Sequence, residues 1–270
     1  AKQALEDQKS EQVRLKGIQA LEQQKIVSQQ AQKKKLLATT KSTQAIYQSI
    51  FNIQQKTAAQ IRTELFGLAG GGGAISLGVA IDDAKIASRI TGVRAAFILG
   101  ILSQESDLGK NVGQCLVTDL TTGDGKGKNT GTLFPGTMKA PRDTVPFERL
   151  MTALGRDWAK TAISCPQPGG YGGAMGPTQF IPSTWVVYEP RIKSTLNIAA
   201  TDPWNALHAI VATGLYLSDG GGKGSADAEH TAAAKYYAGG GWAGPSGQRY
   251  ADSVMEKAAQ FQSDIDTLAR

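Results

Sequence analysis

The stretch Phe97-Ile98-Leu99-Gly100-Ile101-Leu102-Ser103-Gln104-Glu105-Ser106-Asp107-Leu108-Gly109 is an apolar run that ends in a carboxylate, with a glycine four residues later. Read as a helix, it puts Ile98, Ile101, Leu102 and Glu105 on one face, at the i, i+3, i+4, i+7 spacing. An ionisable group then stands in line with core side chains where the helix leaves the core. Gly109 is the expected stop. Apolar neighbours disfavour the charged form of a carboxyl, so its pKa rises and it holds a proton near neutrality. The plain alternative is a helix-end glutamate pointing into water.

Outward from this stretch, Ser76 to Ile90 reads as a preceding helix, with Thr91-Gly92 as the turn before Val93–Leu108. Residues 110–145 read as loop, because glycines alternate with Thr, Lys and Asn, and Pro135, Pro141 and the following Pro146 exclude long helices. A loop of that length in a compact domain is usually a lid or cleft wall. Asp119 and Asp124 do not meet the order of an EF-hand loop. Helices follow over Val145–Lys160, from about Pro177, from Pro203 with Asp202 as N-cap, over Ala226–Tyr237 and over Ala251–Leu268. No alternating strand pattern persists. The expected class is therefore mainly α, about seven helices separated by glycine-rich turns.

Residues 1–69 have a different composition, rich in Gln, Lys, Ala, Leu and Glu and free of proline. That favours long helix, read as an imperfect coiled-coil or helical-hairpin arm with Lys33-Lys34-Lys35 as its most basic point. Gly70–Gly73 break it and form a linker, leaving 74–270 as the globular domain. The arm is a candidate spacer, for self-association or for docking on an anionic surface; a solvated helix without a partner is the alternative.

Of the formal charge of +6, all resides in residues 1–66, with eleven Lys and Arg against five Asp and Glu; the remainder balances. The globular part therefore carries no nucleic-acid signature, and no aromatic–basic interleaving restores one. The 41% hydrophobic content suits a globular core, and no apolar run reaches a membrane span. A chain opening Ala1-Lys2-Gln3 shows no signal-peptide pattern, which says nothing of the precursor. Cys115 and Cys165 lie in Gly/Pro/Thr-rich surroundings, which suits a disulfide in an oxidising compartment; two free thiols are the alternative. With only His208 and His230 besides, ligand clustering is lacking and no metal or cofactor is expected.

Three motifs stand in order: Gln104-Glu105-Ser106, then Gly173-Ala174-Met175-Gly176-Pro177-Thr178-Gln179-Phe180-Ile181-Pro182, then Lys235-Tyr236-Tyr237-Ala238-Gly239. Together they resemble the bacterial lytic transglycosylases with a goose-lysozyme-like catalytic domain. The membrane-bound B type, glycoside hydrolase family 103, looks closest because of the long insert before the Gly-Ala-Met-Gly turn. The resemblance covers about residues 85–255 and leaves the arm outside.

It implies a lysozyme-like helical domain that cleaves the β-1,4 bond between N-acetylmuramic acid and N-acetylglucosamine, with peptidoglycan glycan strands as partner. The implied location is extracytoplasmic, in the bacterial envelope, with anchoring of a longer form left open. Glu105 takes the place of the catalytic acid/base. Ser106, Met175, Gln179, Phe180, Tyr236 and Tyr237 take places about the substrate, Met175 behind the carboxylate. Tyr237 departs from the pattern, which has Asn there. Asp107 would project roughly 200° away from Glu105 on a helix, so a one-carboxylate mechanism is self-consistent. A hydrolytic muramidase of the same fold and a weakly catalytic peptidoglycan-binding envelope protein remain as rivals.

Overall fold

The computed structural model describes residues 75–269, with side chains to 266, and helical residues at 16–17, 19–20 and 22–31. The rest of the arm, with Lys33–Lys35, and the Gly70–Gly73 linker lie outside the described residues.

Residues 75–269 are mostly helical. In chain order the elements are α1 Leu77–Thr91, α2 Ala95–Ser106, β1 Cys115–Val117, β2 Gly125–Gly127, β3 Leu133–Phe134, α3 Thr144–Ala153, a 3₁₀ turn Trp158–Lys160, α4 Pro182–Leu196, α5 Ala206–Asp219, α6 Ala226–Ala238, a 3₁₀ turn Gly239–Gly241 and α7 Pro245–Ala269.

Helix α2 is the axis of the core. Every residue from Ala96 to Leu102 is buried, so the apolar run is enclosed all round rather than on one stripe. It packs most extensively against α7. Gly100 makes this possible: a Cβ there would lie 2.8 Å from the Val254 carbonyl oxygen and 3.2 Å from Ala258 Cβ. The pair runs antiparallel, since Arg94 Nη1 donates to Gln262 Oε1 at 3.3 Å while Ser253 Oγ donates to Gln104 Oε1 at 2.8 Å. At the start of α2 the Arg94 guanidinium forks onto Glu229 of α6, Nε to Oε1 at 2.9 Å and Nη2 to Oε2 at 2.6 Å. Such a two-bond pair fixes orientation as well as distance.

Several boundaries differ from the sequence reading. Helix α2 ends at Ser106, because Asp107 (φ 50°) and Leu108 (φ 55°) turn left-handed before Gly109 is reached. Asp107 is thus off the helix altogether, exposed and paired with Lys110 Nζ at 2.7 Å. The stretch 110–145 is not all loop. It contains a three-stranded antiparallel sheet in the order β1-β2-β3, with Cys115 opposite Gly127 and Gly125 opposite Phe134. Strands of two or three residues, one of them Gly-Lys-Gly, carry no periodic signal.

The third expected helix stops at Ala153, and Trp158–Lys160 form a separate turn. Helix α4 starts at Pro182 rather than near Pro177. Its N-terminus is met by the fully buried Asp143, whose Oδ1 accepts the Ser183 N–H at 3.1 Å while Arg142 grips the other oxygen. Asn205, not Asp202, caps α5 by accepting the His208 N–H at 3.1 Å. Asp202 instead accepts the Trp204 N–H at 2.8 Å and pairs with Arg156. Helix α7 begins at Pro245, not at Ala251.

Cys115 and Cys165 form a disulfide with Cα atoms 5.0 Å apart. It joins β1 to the segment that leads into the glycine-dense turn, beside the ladder of Cys115 with Ile163. None of the described helices is long and apolar enough to cross a membrane.

Candidate active site

Glu105 lies in the last turn of α2, where the enclosed helix reaches the surface. The backbone that carries it is held by the core. Its side chain is partly exposed yet surrounded by protein, and this burial raises the carboxyl from its ordinary value of 4.5 to about 7. The Tyr250 hydroxyl of α7 donates to Glu105 Oε1, which favours the carboxylate and partly opposes the burial. The group is therefore poised to exchange a proton near neutral pH.

A second element arrives through Ser106. This side chain is buried; its hydroxyl donates to the Pro177 carbonyl and accepts the Gly109 N–H at 2.8 Å. One residue thus ties the end of α2 to the turn 175–180 and closes its own helix terminus. The turn is shaped by Gly176 (φ 65°), where a Cβ would lie 1.9 Å from the Pro203 carbonyl oxygen. The Met175 N–H donates to the Phe180 carbonyl at 2.9 Å across it. Gln179 sits at φ 56°, a strained conformation for a non-glycine residue, with its Nε2 donating to the Gly176 carbonyl at 2.7 Å.

The third element is the end of α6. The Tyr236 hydroxyl donates to the Thr178 carbonyl at 2.7 Å. Its pKa is raised well above the ordinary value by burial, and further by the Glu105 charge. Phe180 packs edge-on against Tyr236, Tyr216, Tyr188 and Trp185, with ring centroids 5.7 to 6.2 Å apart. Tyr237 is 58% exposed and stacks on Tyr250 at 4.8 Å with an interplanar angle of 15°.

Glu105, Ser106, the turn with Met175, Gln179 and Phe180, and Tyr236 and Tyr237 are thus gathered at one place. Two residues expected to touch substrate, Ser106 and Phe180, are enclosed, as is Met175, which was expected behind the carboxylate. Ser106, Met175 and Phe180 are 2%, 0% and 4% exposed, so they build the wall from behind rather than present a surface. Gln179 Nε2 is spent on its own turn. Asp119 and Asp124 accept backbone N–H groups from Thr121 and Gly136 and are engaged within their own loops.

Tyr250 was missed by the sequence reading, which began the last helix one residue after it. The signal was present: Tyr250, Val254, Ala258 and Phe261 are buried at helical spacing, and the first of them carries a hydroxyl.

Near the Tyr216–Tyr236 pair a groove of 410 Å³ opens, lined by Tyr188, Tyr216, Asp219, Lys235 and Trp242 among others. Among the described residues no group of three or more His, Cys, Asp and Glu side chains gathers to hold a metal.

The chain is similar to the lytic transglycosylase Slt35 of Escherichia coli in complex with bulgecin A, at 20% identity over 52% of this chain and 40% of that one, TM-score 0.36. It is similar to the soluble lytic transglycosylase SltB1 from Pseudomonas aeruginosa, at 21% identity over 52% of this chain and 43% of that one, TM-score 0.36. A 36 kDa muramidase/transglycosylase aligns at 15% identity over 70% of this chain and 71% of that one, TM-score 0.45. The chain thus spans less than half the length of the first two. No curated protein matches. The family described as the transglycosylase SLT domain matches residues 2–235, which takes in the N-terminal segment that the motifs alone left outside. With that match extending over most of its length, the chain belongs to the transglycosylase SLT domain family.

Proposed function

We propose that this chain is a peptidoglycan lytic transglycosylase that cleaves the β-1,4 bond between N-acetylmuramic acid and N-acetylglucosamine, with Glu105 as its single acid/base. The observation that carries the proposal is a carboxyl at the end of a buried helix, raised to about 7, in a chain of the transglycosylase SLT domain family. Below that pH Glu105 is protonated and gives its proton to the glycosidic oxygen as the bond to the muramoyl C1 breaks. The substrate's own acetamido group stabilises the cation at C1. The Glu105 carboxylate then removes the proton from the muramoyl 6-hydroxyl, whose oxygen bonds to C1 and closes the 1,6-anhydro ring without water. The Tyr250 hydroxyl stabilises the carboxylate between the two steps.

A single carboxylate suffices for this sequence, and it agrees with Asp107, Asp119 and Asp124 being engaged elsewhere. The aromatic rings of Tyr216 and Trp242 along the groove suit sugar rings. The long insert before the Gly-Ala-Met-Gly turn supports assignment to the B type. Peptidoglycan as substrate implies an envelope location, and the arm of residues 1–69 serves there as a coiled-coil spacer for self-association or for an envelope partner.

The test is digestion of purified cell walls by the wild type and by Glu105→Gln, with the products weighed by mass spectrometry. General acid/base assistance of about 10²–10⁴-fold should be lost in the variant. Products one water lighter than muramidase products are expected. Hydrolytic products would transfer the assignment to a muramidase, and wall binding without digestion would leave only a binding protein.

A further inference from the structure

Tyr237, at the end of α6, packs on the residue that donates to Glu105. Its ring lies face to face on Tyr250, 4.8 Å between centroids and 15° from parallel. Tyr237 ends α6 and Tyr250 lies near the start of α7, so the stack bridges the glycine-rich turn Gly239–Gly244. Tyr250 is 8% exposed and Tyr237 is 58% exposed, so the outer ring covers the inner one from the solvent side. The inner ring's hydroxyl is the donor to Glu105 Oε1. An asparagine at 237 has no face with which to cover or orient that ring.

We infer that Tyr237 is a positioning residue: by stacking on Tyr250 it holds the Tyr250 hydroxyl on Glu105 and so fixes how firmly the carboxyl keeps its proton. The inference rests on the reading of Glu105 as acid/base. The titratable groups facing the carboxyl are few. From α7 comes Tyr250, and from α6 come Tyr236, whose hydroxyl is committed to the Thr178 carbonyl, and Tyr237 behind Tyr250. On its own segment, Asp107 is paired with Lys110; on α7, Lys257 Nζ donates to Ser253 Oγ at 3.1 Å. The Tyr250 bond favours the ionised carboxyl, so loosening it raises the Glu105 pKa. The same loosening moves the basic limb of the activity profile to higher pH, because the acid then keeps its proton longer.

The experiment follows the Glu105 carboxyl directly, by carbon-13 NMR titration of the whole chain labelled at glutamate carboxyls. It compares the wild type with Tyr237→Phe, Tyr237→Asn, Tyr237→Leu and Tyr250→Phe, and with Tyr237→Leu on Tyr250→Phe; Glu105→Gln identifies the signal. Loss of a charge-assisted hydrogen bond predicts a rise of about one pH unit in Tyr250→Phe. Tyr237→Asn and Tyr237→Leu should shift the midpoint the same way, by about half a unit, a partial loss of that bond. Tyr237→Phe, which keeps the stack, should titrate as the wild type, and Tyr237→Leu should add nothing once Tyr250 lacks its hydroxyl. Two non-stacking variants are used so that one folding failure does not end the test.

An unchanged midpoint in both non-stacking variants overturns the inference, as does a shift that persists in full on Tyr250→Phe. A rise in KM with no shift in the midpoint makes Tyr237 a sugar platform and also overturns it. Because the titration needs no substrate, failure of the wild type to digest cell walls sinks the proposed reaction and leaves the positioning result readable.

Discussion

Glu105→Gln should make the protein more stable at neutral pH while removing its proposed chemistry, and the size of the gain follows from the burial of the carboxyl. Below about pH 4 the side chain is protonated in both folded and unfolded chains and carries no penalty. As pH rises through 4.5 the unfolded chain ionises while the folded one, with its carboxyl at about 7, does not. Stability therefore falls between those values and levels off above the higher one. The shift corresponds to at most about 3 kcal/mol, and to about 2 kcal/mol once the exposed part of the side chain is allowed for. Glutamine keeps the shape and can still accept the Tyr250 proton. The assay is urea denaturation of both proteins at pH 4, 6 and 8. The variant should match the wild type at pH 4 and exceed it by about 2 kcal/mol at pH 8. A difference that stays constant across that range would refute the argument, since no folded-state perturbation of Glu105 would then exist.

Asp83 on α1 is raised to about 6 by burial and then by Asp82, so the same sign applies; Asp83→Asn should raise Tm at pH 8 but not at pH 4, with a gain of about 1 kcal/mol given its half-exposed position. Gly176→Ala should cost about 3 kcal/mol or more and reduce wall digestion, because its φ of 65° and the Pro203 carbonyl 1.9 Å from the new Cβ leave no room; thermal melting and the digestion assay read it. Cys115→Ser with Cys165→Ser should lower stability by about 4 kcal/mol, the loop-closure value for a separation of 50 residues, read by urea denaturation with and without reductant.

The helices are legible in the sequence because each is long enough for its period to be read; the end of the apolar run marks Glu105 as a carboxylate beside the core, while its catalytic place comes from the motif resemblance alone. What the sequence concealed has common physical causes. The sheet of 115–134 is built from strands too short for alternation, and its glycines suppress β propensity. The turn 175–180 looks like a helix start from Pro177, but the bridge between Met175 and Phe180 and the left-handed Gln179 override that local preference. The resemblance places Ser106 about the substrate. Its burial becomes evident only when Pro177, distant in sequence, is brought onto its hydroxyl.

The same non-local bonds explain why a destabilised carboxyl stays where it is. Glu105 is placed by the buried part of α2, and that helix is fixed at both ends. The Arg94 fork onto Glu229 sets one end, and the Ser106 link to the 175–180 turn sets the other. Along its length the Gly100 contact with Val254 and Ala258 fixes the register against α7. That register brings Tyr250, rather than any other residue of α7, opposite Glu105. Moving α7 by one turn would exchange Tyr250 for Val254 or Ser246 and leave the carboxyl without its donor. The close packing at Gly100 is thus a condition of the proton chemistry at Glu105, one turn and a half further along the helix. A larger residue at position 100 should therefore raise the Glu105 pKa together with its expected loss of stability. Gly100→Ala, titrated as above, tests this: destabilisation with an unmoved Glu105 midpoint would separate the helix register from the site.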